Sequence, residues 1–342
     1  MKTNKKRLYI ILSSVILIAI AVVAILMFSN NNLSFGKNDG NEQANQTFYE
    51  LIQEINALET EAEDLALIEY AEDLLNASKD VSLDLLEQEI ENTENSTALR
   101  VLLLQICDEL DLSPDEELLQ KLINDENTDF EIKRNSMYLL EGESETDSLI
   151  KIARGDDEQL AFHAIRELLS KAPMQAGEIA DEIIATYDGT FTFKTRGAII
   201  AKANQLRLVP DEKEIDEFLA LCDNVLQNYH DAEDKTAAGI VTHALTSGDY
   251  LTHEKVLYFL VDCEWIDPIS CSVGIEKHKD VMLDLINKDM DEEQLSYIIK
   301  AMEINPLSEL SEPLQEIADT YTFSAESEEL QQRLQEVINK SK

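Results

Sequence analysis

The segment DEQLAFHAIREL, residues 157–168, decides the fold class because it describes one amphipathic helix together with its start signal. Asp157 can accept hydrogen bonds from the free amides of the first turn, as helix N-caps do. Leu160, Ala164 and Leu168 follow three, seven and eleven residues later, on one stripe of an α-helix. The small Ala164 allows a neighbouring helix to approach closely. We therefore expect a capped helix that packs against other helices.

The same pattern recurs four more times along the chain. The other copies begin at Ser96, Asp129, Thr192 and Asp234. The distance in sequence between consecutive copies, measured at the position seven residues after each cap, is 33, 28, 35 and 42 residues. A second apolar helix pattern lies between copies, for example after Pro173 and after Pro210. Paired helices at this period are typical of an α-solenoid, in which each unit buries its apolar face against its neighbours.

Two of the copies, DFEIKRNSMYLL at 129–140 and DEQLAFHAIREL at 157–168, resemble HEAT repeats, especially the short bacterial HEAT-like kind. The resemblance covers residues 94–250 and extends to the flanks by continuation. It implies a scaffold for protein partners and transfers no catalytic residues. Several copies lack the Asp or the cation, and the prolines are irregular. Tetratricopeptide-type or unclassified helix pairs therefore stay open as alternatives.

Residues 8–28, LYIILSSVILIAIAVVAILMF, form an uncharged apolar run that is long enough to cross a membrane as a helix, about 30 Å. Four basic residues precede the run, whereas only Lys37 follows it closely. Basic flanks stay cytoplasmic. We therefore predict a single-pass protein of the cell membrane, with its N-terminus in the cytoplasm and its C-terminal domain extracytoplasmic. A cleaved signal peptide is the alternative.

The composition predicts an all-α fold: an N-terminal transmembrane helix followed by an α-solenoid of HEAT-like helix pairs. Only 10 Gly and 6 Pro occur in 342 residues, and no alternating strand pattern is bounded by turn dipeptides. Four segments follow. They are a basic cytoplasmic tail (1–7), the anchor (8–28), a flexible Asn/Gly/Ser-rich stalk (29–46) and an acidic helical-repeat domain (47–342).

The acidity of the chain limits its partners. Residues 29–342 contain 24 basic and 69 acidic side chains, a formal net charge of −45. Nucleic acids and anionic lipid headgroups are bound by neutralising phosphate with Lys and Arg, so we predict that the domain binds neither. We expect a protein partner that presents a basic surface. The alternative is that the acidity only keeps the protein soluble or adapts it to a salty or alkaline exterior.

The sequence contains no recognisable catalytic constellation. His253 and Glu254 begin like the zinc-protease motif H-E-x-x-H, but Leu257 stands at the second ligand position. We therefore predict a non-enzymatic protein with no catalytic residue, cofactor or metal ligand. Two alternatives stay open, an acidic cation-binding ectodomain and an envelope metal-dependent enzyme. The second would use the His and Cys residues of the same region, His230, His243, His253, Cys263, Cys271 and His278.

Tyr258, Phe259 and Trp265 are the candidate partner-binding residues, because aromatic side chains concentrate at binding hot spots. A place in the core is the alternative for this cluster.

Nearby, Cys263 and Cys271 are close enough in sequence for a disulfide in an oxidising exterior, and two small buried thiols are the alternative.

The charge asymmetry about residues 8–28 predicts the topology of the chain in intact cells. A membrane-impermeant thiol reagent should label a cysteine introduced at Asn41 and spare one introduced at Thr3. The parent chain, with its four native cysteines, serves as the control. Labelling at Thr3 alone would place the acidic domain in the cytoplasm.

Overall fold

The structure is a computed structural model that confirms the predicted all-α class. It describes residues 41–57, 63–142, 144–229, 236–246, 251–324 and 327–342. Over these residues it contains eighteen α-helices and no β-strand. None of the described helices is long and apolar enough to span a bilayer, and the predicted anchor, residues 8–28, lies outside the described residues.

The chain divides into two compact units, Met1–Glu145 and Thr146–Lys342. The helices of the first unit are α1 (Asn41–Asn56), α2 (Glu63–Ser78), α3 (Leu83–Glu91), α4 (Thr97–Glu109), α5 (Glu116–Asn124) and α6 (Phe130–Tyr138). Helix α7 (Glu145–Arg154) begins at the last residue of the first unit, and its other residues belong to the second unit. After it come α8 (Glu158–Lys171), α9 (Pro173–Ala185), α10 (Phe193–Leu208), α11 (Glu212–Tyr229), α12 (Thr236–Thr246), α13 (Glu254–Asp262), α14 (Pro268–Lys277), α15 (Lys279–Ile286), α16 (Glu292–Ile304), α17 (Ser311–Thr320) and α18 (Glu328–Ser341). A 3₁₀ turn, Ser308–Leu310, precedes α17.

The first helix begins earlier than the sequence predicts. Residues 41–46, the end of the predicted stalk, belong to α1, and residues 29–40 lie outside the described residues. After Gly40 the chain contains no glycine or proline up to the end of α1, and Glu42, Gln43 and Ala44 are good helix formers. Gln46 Nε2 also donates to Glu50 Oε1 at 2.9 Å, one helical turn later.

Most of the principal contacts join helices that are next or next but one in sequence. In the first unit α4 packs against α2 and α6, and α3 packs against α5. In the second unit the even-numbered helices from α8 to α18 form a row in which each contacts the next. Among the principal contacts, the most distant in sequence join helices three apart, α1 with α4 and α13 with α16. Such neighbour contacts are compatible with a helical repeat.

The repeated sequence pattern forms the capped, inward-facing helices that it predicts. The capping side chain accepts a backbone hydrogen bond in the four copies whose cap is described, at Ser96, Asp129, Asp157 and Thr192. The positions three, seven and eleven residues after the cap are buried in all five copies. These are Leu99, Leu103, Cys107, Ile132, Ser136, Leu140, Leu160, Ala164, Leu168, Thr195, Ile199, Ala203, Ala237, Val241 and Leu245.

Polar side chains join residues that are one repeat apart. The Nζ of Lys121 contacts Glu91, 30 residues earlier, and Arg154 contacts Glu182, 28 residues later. Three further ion pairs have the same character: Lys255 with Asp216, Lys300 with Asp262 and Arg333 with Glu303, separated by 39, 38 and 30 residues. Exposed ion pairs of this kind add little to the stability of a fold.

Gly274 allows α14 to approach two other helices closely. A Cβ at this position would lie 2.7 Å from Cγ2 of Thr246 on α12 and 3.0 Å from Cδ1 of Leu260 on α13. Thr246 cannot easily move, because it is buried and its hydroxyl donates to the carbonyl of Thr242 at 2.6 Å. By contrast, a Cβ at Gly239 on α12 would meet nothing within 4 Å.

These two glycines form a matched pair for a stability test. Gly239→Ala should raise the free energy of unfolding by roughly 0.5–1 kcal/mol, because alanine favours the helix. Gly274→Ala should lower it by about 1–3 kcal/mol despite the same gain in helix propensity, because the methyl group overpacks the contact. Urea unfolding followed by circular dichroism measures both changes. An equal gain in both variants would contradict the close approach at Gly274.

Candidate functional site

The candidate site is a cleft of about 560 Å³ within the second unit. The end of α7, the start of α8, the second half of α9 and the loop that leads into α10 form its walls. Its charged lining consists of Arg154, Glu158, Glu182, Asp188 and Lys194. Small and hydroxyl-bearing side chains complete the walls, so the cleft combines an apolar surface with several polar groups.

The loop between α9 and α10 is held in place from two sides. Gly189 adopts a left-handed conformation with φ of 96°, which glycine tolerates without a Cβ clash. Asp188 Oδ1 accepts from the backbone N–H of Thr190 at 2.9 Å, and this donor holds the pKa of Asp188 below its usual value. From α11, the Tyr229 hydroxyl donates to the Gly189 carbonyl at 2.9 Å and accepts from the Phe191 N–H at 2.8 Å.

Two of the charged groups in the cleft neutralise each other. Arg154 binds both carboxylate oxygens of Glu182, through Nε at 2.9 Å and Nη2 at 2.6 Å. These hydrogen bonds lower the pKa of Glu182 and raise that of Arg154. A bidentate arginine–carboxylate pair of this kind uses the donor fork of the guanidinium group.

Glu158 lies at the N-terminus of α10 without a cationic side chain bound to it. Its Oε2 accepts from the backbone N–H of Lys194 at 2.9 Å, where the positive end of the helix dipole favours a carboxylate. Among the residues that the structure describes, no ion pair joins the carboxylate of Glu158 or of Asp188, or the ammonium group of Lys194. The cleft therefore offers two carboxylates and one ammonium group that are not paired.

Tyr187 contributes a polar group that the fold does not use. Its hydroxyl is buried in the cleft wall and has no hydrogen-bond partner among the described residues. Burial, with smaller contributions from Tyr229 and Asp188, raises the pKa of Tyr187 above its ordinary value of 10.0. The phenol is therefore protonated at neutral pH and can both donate and accept a hydrogen bond.

The sequence analysis did not predict a functional site at the cleft. The only local signal was the Asp188-Gly189-Thr190 turn, which is typical of a loop and indicates no function by itself. Glu158, Tyr187 and Lys194 come together only through the packing of α8, α9 and α10.

The three aromatic residues predicted to bind a partner lie elsewhere. Tyr258, Phe259 and Trp265 are half-buried and pack against the hydrophobic core of the second unit. Tyr258 also stacks on Tyr297, with 4.1 Å between ring centroids, and burial raises its pKa to about 12. Each therefore contributes to the core and keeps part of its surface accessible. Their role in partner binding stays a prediction.

Several of the candidate metal ligands have other partners in the structure. His253 caps α13, since its Nδ1 accepts from the Lys255 N–H at 3.2 Å. Cys263 and Cys271 are free thiols, and Cys271 Sγ donates to the Leu260 carbonyl at 3.0 Å. Among the described residues no group of three or more His, Cys, Asp and Glu side chains is placed to hold a metal ion, and His230 lies outside them.

His278 is fully buried at the junction of α14 and α15. Its Nδ1 lies 3.0 Å from the Gly274 carbonyl and its Nε2 lies 3.2 Å from the Leu251 carbonyl. Burial lowers the pKa of His278 below 6.5 and outweighs the opposite effect of the two carbonyls. The folded protein therefore holds a neutral imidazole at pH 7.

Comparison of the sequence with protein-family models and with curated proteins finds no match. The likeness to helical repeats is carried by features of this chain itself. These features are the N-caps, the buried stripe and the contacts between neighbouring helices.

Two tyrosines at the cleft give a matched test of its hydrogen bonding. Tyr229→Phe should lower the free energy of unfolding by about 1–3 kcal/mol, because a donor and an acceptor of the loop lose their partner. Tyr187→Phe should leave it unchanged or raise it slightly, because the lost hydroxyl has no partner. Thermal or urea unfolding measures the difference. A larger loss for Tyr187→Phe than for Tyr229→Phe would contradict the hydrogen bonds described.

The buried imidazole predicts acid destabilisation. The unfolded chain takes up a proton at His278 near pH 6.5, whereas the folded chain takes it up only at lower pH. The stabilising contribution is thus complete above pH 6.5 and is lost as the pH falls from there through the folded pKa. Unfolding free energies between pH 8 and pH 5 should fall less steeply for His278→Gln than for the parent. A slope for His278→Gln equal to the parental slope would contradict the buried neutral imidazole.

Proposed function

We propose that this chain is a membrane-anchored, extracytoplasmic scaffold that binds a protein partner. In this proposal residues 8–28 are the anchor, and the helix pairs form an α-solenoid of HEAT-like repeats. The observation that carries the proposal is the repetition of neighbour contacts along each unit, from α2 to α6 and from α8 to α18. Proteins built in this way use extended surfaces from several repeats to bind other proteins.

The surface of the second unit provides contacts of the kind that a protein partner uses. Ile269 and Val273 lie one turn apart on α14 and are 79% and 45% exposed. Two exposed apolar side chains on the same face of a helix form an apolar patch that a protein partner can bury. The cleft between α7 and α10 adds the charged side chains of Glu158, Asp188 and Lys194, which form no ion pair among the described residues.

The charge of the domain supports a partner with a basic surface. A formal charge of −45 on residues 29–342 attracts a basic protein over distances comparable with the screening length. Electrostatic attraction of this kind acts mainly on the rate of association and on specificity.

Site-specific photocrosslinking of the full-length chain in its native membrane tests this function. A photoreactive residue at Ile269, or at Thr190 on the rim of the cleft, should capture the same discrete protein. The same residue at Glu336, an exposed position on α18, is the control. Capture should saturate with expression and should fall in an Ile269→Glu, Val273→Glu variant that carries the probe at Thr190. Failure to capture a saturable partner at either position would overturn the scaffold proposal.

Salt dependence tests the part that charge plays in the proposed binding. Raising the ionic strength from about 0.05 to 0.5 M shortens the screening length from roughly 14 Å to 4 Å. The association rate of the captured partner should then fall steeply while its dissociation rate changes less. A flat association rate would show that the acidity serves solubility or adaptation instead.

A further inference from the structure

We propose that the cleft binds an aliphatic chain that ends in a primary ammonium group, as a lysine side chain of the protein partner does. This inference rests on the proposed scaffold function and assigns one of its contacts to a specific site. Its starting point is the charge of the cleft lining, in which the carboxylates of Glu158 and Asp188 and the ammonium of Lys194 form no ion pair among the described residues.

The sign of the charge in the cleft favours a cation. Arg154 and Glu182 cancel each other through their two hydrogen bonds. The remaining lining carries two carboxylates, Glu158 and Asp188, against Lys194 alone. Glu158 is half-buried, so part of its hydration is already lost and an incoming cation would compensate a cost that folding has imposed.

The shape and polarity of the walls suit an ammonium group on a carbon chain. Ala153, Ile179 and Ile183 provide an apolar wall for methylene groups. An ammonium group carries three donors and no acceptor, so it needs several oxygen atoms around it. The second oxygen of the Glu158 carboxylate and of the Asp188 carboxylate can supply two of them.

An anionic ligand fits the same cleft less well. The first turn of α10 would be the natural place for an anion, but the Glu158 carboxylate already accepts from the Lys194 N–H there. The guanidinium fork of Arg154 is likewise occupied by Glu182. Only the Lys194 ammonium would be left to bind an anion, close to two carboxylates.

Calorimetry with the full-length chain in detergent tests the inference with a defined probe, an N-acetylated and C-amidated tetralysine peptide. Glu158→Gln and Asp188→Asn together remove both charges but keep oxygen acceptors for the Lys194 and Thr190 amides. This double variant should weaken binding about tenfold or more. Glu264→Gln with Glu312→Gln, both at exposed positions of the same unit, makes the same change in net charge and should weaken binding less than about twofold.

Two further variants separate the cleft from a general effect of charge. Lys194→Met should tighten tetralysine binding, because it removes the repelling ammonium group, whereas an anion-binding cleft would be impaired by it. Tyr187→Phe should change binding less than about twofold, because the hydroxyl that it removes is buried in the cleft wall and does not reach the ligand. A tetralysine peptide with acetylated side chains should not bind, because it carries no ammonium group. Spermidine is the comparison ligand that represents a free polyamine. Tighter binding of spermidine than of tetralysine would assign the cleft to a free polyamine and overturn the partner-lysine assignment.

The inference fails if the Glu264 and Glu312 control weakens binding as much as the cleft variant, or if Lys194→Met weakens it. Failure of the scaffold proposal is a separate result. If a saturable partner is captured but binds the Glu158, Asp188 double variant as tightly as the parent, the cleft assignment is wrong and the scaffold proposal stands. If no partner is captured while tetralysine binding follows the pattern above, the scaffold proposal is wrong and the amine site stands.

Discussion

The fold depends on one constraint, that each helix must bury its apolar stripe against helices close to it in sequence. Most of the described helices have between 8 and 16 residues, and isolated helices of that length are marginal in water. Their stability must therefore come from packing. The small residues on the stripe, such as Ala164 and Ser136, let that packing be close, and Gly274 shows the same principle at a contact of three helices.

A second constraint follows from the excess of acid over base, 69 against 28 residues. With few cations available, the position of each one affects the local potential strongly. Several join repeats to one another, and Lys202 is buried between Asp181 and Glu214, with Nζ at 2.7 and 2.6 Å from their oxygens. Since acids outnumber bases by this margin, most carboxylates have no cationic partner, and Glu158 and Asp188 of the cleft belong to this majority.

Much of the fold could be predicted from the sequence because caps and stripes are local properties. Asp157 acts as a cap through its own neighbours, and Leu160 and Leu168 share a helix face whatever surrounds the helix. The cleft could not be predicted in this way. Glu158 and Lys194 are 36 residues apart, and their contact depends on how α8 and α10 cross, which no short pattern specifies. For the same reason His253 resembles a metal ligand in sequence yet caps a helix in the structure.

The restriction of the principal contacts to helices at most three apart has a consequence for how the protein acquires its structure. Contacts that are local in sequence require little loop closure, and chains rich in them fold fast. Such a chain does not have to wait for its C-terminal helices before its N-terminal ones become stable. Each helix can pack as it emerges from the ribosome, against the helices that precede it. The same locality implies that unfolding can begin at an end and stop part-way, so the terminal helices should be the first to open.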